Sequence, residues 1–503
     1  MPPIGFDNDK YLREQTAAIL GRVQGFGKLY LEFGGKLVYD YHAARVLPGY
    51  HPNVKMQLLS QLKDDVDVIL CIYAGDIERR KVRGDFGITY DSDALRMIDA
   101  LSEWGVRVRA VVITRFEHQP AATAFKNKLD RRDVRVYTHR YTKGYPTDID
   151  TVVSAEGYWA NEYIETDRPI VVVTGPGPGS GKLATCLSQL YHEYQRGRHA
   201  SYAKFETFPI WNLPLKHEVN VAYEAATADL RDVNMIDHYH LEAYNQRAVN
   251  YNRDIEAFPL LQRIIERITG EPSFYRSPTD MGVNRAGFGI VDDAVVREAA
   301  RQEVIRRYFR YACEYAMGLA DYGTVERLEL LMDDLDLQPE ERRVVLPARR
   351  RASEMQQESH PDGVVCCCAA IELHDGTIVT GKRSTLMHAP SSMLLNAAKV
   401  LAGIPDAMHL LSPSILESVS RFKRHVLHGS ALSLDLSETL IALSISATVN
   451  PAAETAADKL EELRGCEVHM THIPTPSDAE ALRQLGLNVT SDPDFASKAL
   501  YVS

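Results

Sequence analysis

The apolar run PIVVV, Pro169 to Val173, passes directly into TGPGPGSGKLAT, Thr174 to Thr185. That junction restricts the possible folds more than any other stretch of the chain. The apolar residues read as a short buried strand. The residues after the junction, LATCLSQLYHEYQRG, place Leu183, Leu187, Leu190, Tyr191 and Tyr194 on one helix face. Between strand and helix lie Gly175, Gly177, Gly179, Ser180, Gly181 and Lys182. Glycines let backbone N–H groups approach phosphate oxygens with no Cβ in the way, and a helix N-terminus following them adds further donors. In an open parallel sheet such a loop falls at the carboxyl edge, where ligands bind. The spacing departs from G-x-x-x-x-G-K-[ST]: Pro176 stands five before Gly181, and Leu183 occupies the position of the Mg²⁺-binding hydroxyl. The junction predicts a P-loop-like anion nest; a tight strand-to-helix turn with a solvent-facing lysine is the alternative.

The preceding third of the chain alternates between strand-like and helix-like runs. An opening helix spans Asp9 to Val23, and KLYLEF and KLVYDY read as strands around Gly34 and Gly35, a hairpin pattern. VDVILCIYAGD is a strand buried on both faces with Asp76 at its carboxyl end. Then come a helix DALRMIDALSEW capped by Asp91 and Ser92, a strand VRVRAVVIT, a helix PAATAFKNKLD, and strands VRVYTH, IDTVVS and PIVVVT. The alternation predicts a doubly wound, mostly parallel α/β sheet carrying the P-loop-like motif. Residues 202–260 are polar and aromatic, and Glu271 to Ile290 is loop-like with several Pro and Gly. Residues 292–335 are strongly helical, and Arg342 to Gly363 reads as a connection. VVCCCAAIELHDGTIVTG opens a second, smaller α/β region as two strands around a His374-Asp375-Gly376 turn. A helix SSMLLNAAKVLAGI and strands ETLIALSISAT and CEVHMTHI follow. The expected division is 1–270 for the α/β P-loop-like domain, 271–350 for a helical subdomain and 351–503 for the C-terminal α/β domain.

A net charge of −11 disfavours a general polyanion binder, so nucleic acid is not the expected partner. No apolar run reaches the roughly 18 residues of a membrane span, and MPPIGFDNDKYLREQ has no apolar signal core, so a cytoplasmic protein is expected. Cys366, Cys367 and Cys368 fit neither a disulfide framework nor C-x-x-C spacing, and read as packing in a buried strand.

Several long stretches resemble a bacterial protein family of unknown function: KLYLEFGGKL, VRGDFGITYD, GYPTDID, VVVTGPGPGSGKLATCLSQLYHE, YAKFETFPIWNLPLKHEVNVAYEAATADL, NYNRDIEAFP and YRSPTDMGVN. The agreement runs nearly the full length, and the resemblance brings no established reaction with it. Locally GPGSGK, Gly177 to Lys182, looks like the phosphate loop of adenylate-kinase-type nucleotide kinases. CAAIELHDGTIVTG followed by a helix is similar to the opening of cytidine-deaminase-like folds, but neither H-x-E nor P-C-x-x-C follows. The resemblance therefore implies that fold without zinc deamination.

The candidate site follows from these readings. Gly175, Gly177, Gly179, Ser180, Gly181, Lys182 and Thr185 are expected to bind a phosphate ligand, ATP or another, with the Lys182 ammonium as a point charge on the phosphates. Asp76 is the candidate Mg²⁺ ligand, with Asp237 a second possibility. Asp237 and His240, in DHYHLEAY, are candidates for acid–base work beside Lys182. The i, i+2 spacing of His238 and His240 suits a loop or strand. Arg79, Arg80, Lys81 and Arg83 form a basic stretch that either holds an anionic substrate or is a solvated surface. Asn250, Asn252, Arg253 and Asp254 with Lys204 and Glu206 make either a polar pocket over the loop or an interdomain interface. The expected function is an ATP- or phosphate-ester-dependent phosphotransferase or ligase acting on a small anionic metabolite, in a homo-oligomer. The alternative is a non-catalytic phospho-ligand-binding protein that self-associates through its C-terminal domain.

Overall fold

A computed structural model of the chain describes residues 3–83, 86–358, 365–428 and 432–497. Gly84 and Asp85, residues 359–363 of the expected connection and Val364 at the head of the cysteine strand lie outside the described residues. The chain forms two compact units, residues 1–303 and 304–503.

The first unit is built on a seven-stranded sheet. Its strands are β1 (Leu29–Phe33), β2 (Val66–Tyr73), β3 (Val108–Thr114), β4 (Val136–His139), β5 (Ile170–Thr174), β6 (Ser201–Phe205) and β7 (Gly282–Val283), in spatial order β7-β6-β1-β5-β2-β3-β4. All neighbours pair parallel. The chain lays β1, β2, β3 and β4 outward, then returns to insert β5 between β1 and β2 before crossing to β6 and β7. The strand that carries the glycine loop is thereby central and buried throughout. One face of the sheet presents Tyr30, Val171, Val173, Ile69, Cys71 and Tyr202 to the loop helix, Lys182–Gln195, which packs Cys186, Leu187 and Leu190 against them. The opposite face includes Phe33 and Phe205, whose rings stack at 4.1 Å.

The mixed α/β class and the parallel sheet agree with the sequence reading, and several elements differ from it for identifiable reasons. KLVYDY is not a strand. Both edges of β1 are taken by parallel neighbours, which leaves no place for a hairpin partner. The chain turns away instead, and Asp40 caps the helix Tyr41–Val46 by accepting from the Ala43 amide at 3.2 Å. The first four residues of IDTVVS form a short helix, Ile149–Val152, because Asp148 accepts from both the Thr151 amide (3.1 Å) and its hydroxyl (2.6 Å). ETLIALSISAT belongs to the helix Leu436–Ala447, started by a reciprocal capping box between Asp435 and Glu438. Most of the expected connection after Arg342 is the helix Val345–Glu358. For IDTVVS and ETLIALSISAT a local cap outweighs the β propensity of the apolar residues behind it.

The second unit holds a smaller sheet of four strands, β8 (Cys368–Glu372), β9 (Ile378–Lys382), β10 (Glu467–Met470) and β11 (Asn488–Ser491), in order β9-β8-β10-β11. Strands β8 and β9 form the expected antiparallel pair, and Gly376 at φ 86° makes the turn between them. Cys367 and Cys368 are packed in this unit with their thiols free, and burial pushes the Cys368 thiol up to about 12. Among the described residues no helix is long and apolar enough to cross a membrane.

Phe205 is fully buried and stacked on Phe33. Its replacement by Ala should destabilise the first unit by about 3–5 kcal/mol, the usual cost of removing a core aromatic ring, measured as a shift in the urea unfolding midpoint at unchanged slope.

Candidate functional site

The loop between β5 and its helix has a shape dictated by its glycines. Gly179 and Gly181 both take the left-handed conformation, at φ 72° and 91°. Close neighbours leave no room for side chains at three positions. A Cβ on Gly181 would stand 2.6 Å from Thr114, one on Gly177 2.5 Å from the Tyr90 hydroxyl, and one on Gly175 2.3 Å from the Cys71 carbonyl oxygen. The carbonyls of the loop are tied off. Thr114 Oγ1 donates to the Ser180 carbonyl at 2.8 Å, the Arg115 guanidinium donates to that of Gly179, and Lys182 Nζ donates to that of Gly177 at 3.2 Å. The amides from Gly179 to Ala184 have no hydrogen-bond partner among the described residues. Orphan amides at the start of a helix, next to backbone of alternating hand, form an anion-binding concavity.

Lys182 makes no ion pair among the described residues. Besides Gly177, its ammonium reaches Ser180 Oγ at 3.4 Å. Burial lowers its pKa, and the negative charge of Glu32 opposes that shift. Glu32 lies near the end of β1, in register with Val173 on one side and Lys204 on the other, so the three side chains share the face that carries the loop helix. Tyr202 donates to Glu32 Oε2 at 2.7 Å. Lys204 in turn pairs with Glu206 at 2.7 Å and with Asp254, in the first turn of the helix Asn252–Thr269. Cation and carboxylate thus alternate along the carboxyl edge of the sheet: Lys182, Glu32, Lys204, then Glu206 and Asp254. Burial would lower Lys204, but its carboxylate neighbours raise it overall. Burial would raise Asp254, but the Lys204 ammonium holds it below the usual carboxylate range. Glu206, 8% exposed, goes the other way: burial outweighs Lys204 and, with the Asp254 charge, brings it up to about 7.

The rim of the loop is basic. Arg115, at φ 50°, lies with its guanidinium 3.6 Å from the Tyr73 ring centre, and Lys81 sits 4.9 Å over Tyr90, whose hydroxyl abuts Gly177. Of the basic stretch, Arg79 pairs with Asp76 and Arg83 is buried against Asp93, so the structure makes part of it internal.

The remaining candidates lie in other surroundings. Thr185 is fully buried, its hydroxyl accepting from the Cys71 thiol at 3.4 Å; Ser180 is the loop hydroxyl nearest the lysine. Asp76 is buried in the short helix Ala74–Glu78 rather than at the strand end, and its carboxylate faces Arg79. Asp237 caps the helix His238–Tyr244 and accepts from the Thr279 hydroxyl at 2.6 Å; His240 Nδ1 meets Ser277 Oγ at 2.9 Å. Because DHYHLEAY is helical there, His238 and His240 project to different sides, His238 exposed and His240 buried. No hydrogen bond or ion pair among the described residues joins Asp76, Asp237 or His240 to Lys182. Of the NYNRD group, Asp254 alone reaches the row of charges. Asn250 bonds Thr279, Asn252 accepts from the Val233 amide, and Arg253 pairs with Asp232. Glu32 is the residue that sequence reasoning missed, and a carboxylate in the strand LYLEF just before Gly34-Gly35 was its signal. Among the described residues no three His, Cys, Asp or Glu side chains gather as a metal cage.

These features define a doubly wound α/β protein with a glycine loop and a row of alternating charges at the carboxyl edge of its sheet. The chain belongs to a family of unknown function: residues 4–336 match the N-terminal, and 340–501 the C-terminal, domain of unknown function DUF1846. It is similar to the UPF0371 protein of Clostridium botulinum (strain Langeland / NCTC 10281 / Type F), 57% identical over 99% of both chains. It is also similar to the UPF0371 protein of Clostridium tetani (strain Massachusetts / E88), 56% identical over 99% of both.

Two outcomes follow from the geometry. Gly181→Ala places a Cβ against Thr114 in a left-handed backbone, and should cost about 1–3 kcal/mol in chemical denaturation while distorting the loop. Glu206 is raised from its ordinary value of 4.5 to about 7, so the folded state binds its proton more tightly than the unfolded one. That contribution to stability is complete below 4.5 and is lost as pH rises through 7. Asp254, held low, acts with the opposite sign and only in more acidic solution. Glu206→Gln should therefore flatten the decline of the calorimetric melting temperature between pH 5 and pH 7.

Proposed function

We propose that the protein is a cytoplasmic enzyme that holds ATP or another phosphate ester in the glycine loop and uses it to modify a small metabolite, as a phosphotransferase or ligase. The observation that supports this most is the division of labour in the loop. Its carbonyls are engaged by Thr114, Arg115 and Lys182, and its amides from Gly179 to Ala184 are left unpaired. In this reading Gly175, Gly177 and Gly181 keep the backbone close, Ser180 and the amides contact phosphate oxygens, and Lys182 exchanges its carbonyl contact for a phosphate. Thr185, buried against Cys71, supports the loop from below. A low-dielectric, pre-organised site of this kind acts by positioning and charge neutralisation.

A Mg²⁺ ion of the reaction is not matched by a protein cage. Asp76 is committed to Arg79, Asp237 to Thr279, and the one hydroxyl of the loop, that of Ser180, is buried beside the Lys182 ammonium. A metal of the reaction would therefore arrive on the phosphates of the ligand. The buried Lys204, Glu206 and Asp254 group next to the loop favours an enzyme over an inert holder of phospho-ligands, because displaced carboxyl pKa values cluster at reacting sites.

Lys182→Ala should weaken binding of ATP, or of inorganic phosphate, by about 10–100-fold, the worth of one charge-assisted contact of about 1.5–3 kcal/mol. Isothermal titration calorimetry of the full chain measures it. Equal affinity for the wild type and the variant would remove the loop from the site.

A further inference from the structure

Beside the loop, two carboxylates share one ammonium in a place where burial penalises charge. Lys204 and Glu206 are two residues apart at the end of β6 and therefore point to the same side, toward the loop helix, while Phe205 between them points into the opposite core. Asp254 enters from the start of the helix Asn252–Thr269, pairs with the same ammonium and shares a hydrogen bond with Glu206. Counting Glu32, three carboxylates stand with Lys204 and Lys182, and a ligand phosphate would occupy Lys182. A structural ion pair needs one partner of each sign; a surplus buried carboxylate is costly to keep.

Two glycines lie beside the Glu206 side chain. A Cβ on Gly282 would stand 3.5 Å from Glu206 Oε2, and one on Gly34 3.9 Å from its Cγ. A polar group nearby lacks a partner. The Tyr251 hydroxyl, on a side chain 5% exposed, has no hydrogen-bond partner among the described residues. Its ring stacks at 5.7 Å on Tyr223, whose phenol feels the charges of Glu206 and Lys204.

Resting on the loop reading above, we propose that Glu206 is the catalytic base of a phosphoryl transfer from a nucleoside triphosphate to the hydroxyl of a neutral small molecule, with Lys204 and Asp254 as positioning residues. In the step, the Glu206 carboxylate takes the hydroxyl proton as the acceptor oxygen bonds to the γ-phosphorus. The bond from that phosphorus to the bridging oxygen breaks, and its electron pair leaves on the nucleoside diphosphate. A carboxylate acceptor needs no base and would meet the charges of Glu32, Glu206 and Asp254, so the chemistry selects an alcohol and a phosphotransferase over a ligase. The charged and titratable groups facing Glu206 are Lys204, Asp254 and Tyr223, with Glu32 beyond Lys204. A base brought up to about 7 is half ionised near neutrality, where proton transfer from an alcohol is most efficient.

The test uses single-turnover consumption of MgATP by the full chain from pH 5 to 9, with water and then glycerol as probe acceptors, and ATP affinity measured in parallel. Wild type should show a rate that rises through pH 7. Glu206→Gln should bind ATP within about threefold of wild type yet turn over at least about 100-fold more slowly, without that rise. Glu206→Asp, which keeps the charge and retracts it by one methylene, should retain ATP binding and an intermediate rate on the same pH limb, an outcome that a purely structural carboxylate would not produce. Glu206→Gln turning over at the wild-type rate with the same limb overturns the proposal and leaves the loop reading standing; so does a wild type that binds ATP and consumes it with neither acceptor. A wild type with no affinity for ATP overturns the loop reading itself, and this proposal with it.

Discussion

The geometry of the site depends on hydrogen bonds that do not touch its centre. The loop carbonyls are drawn outward by the Thr114 hydroxyl, the Arg115 guanidinium and the Lys182 ammonium. Each contact fixes one peptide plane, and fixing the carbonyl on one side leaves the amide on the other. Thr114 and Arg115 come from the end of β3, two strands away from β5, so the sheet itself holds the loop in shape. An isolated peptide of the same sequence would lose this restraint, because its glycines cost more conformational entropy to order than any other residues.

Along the same edge, charges of alternating sign replace what would otherwise be a hydrophobic rim. Lys182 and Lys204 flank Glu32, and Glu206 and Asp254 close the row. Buried groups of this kind are tolerable only when each is neutralised by its neighbour. Burial, reinforced by the charge of Asp254, raises Glu206 against the pull of the Lys204 ammonium. Tyr202 contributes from beneath through its hydrogen bond to Glu32.

What was legible in the sequence and what was not divides along the range of the interactions. The glycine loop, its strand and its helix are visible because local sterics alone demand glycine at Gly179 and Gly181. The turn at Gly376 is read for the same reason, and helix Pro120–Asp130 from its leading proline and its apolar face of Ala122, Phe125 and Leu129. The elements misread as strands, IDTVVS and ETLIALSISAT, hinge on Asp148 and Asp435, single caps whose pull exceeds that of several β-branched residues. Glu32 was hidden because its importance is a matter of register: nothing local in LYLEF says that β5 will pair on one side and β6 on the other. Lys204 and Asp254 were grouped correctly by composition, whereas Asn250, Asn252 and Arg253 satisfy other partners that no spacing rule announces.

The placement of β5 between β1 and β2 also has a bearing on biosynthesis. Until Ile170–Thr174 leaves the ribosome, the two oldest strands have no common neighbour, and the edges meant for it stay open. Such edges are sticky toward other chains, and closing them requires contacts far apart in sequence, which slows folding. The segment that closes these two edges is the one that ends in the glycine loop, so a nascent chain acquires the loop and joins its two oldest strands in a single event.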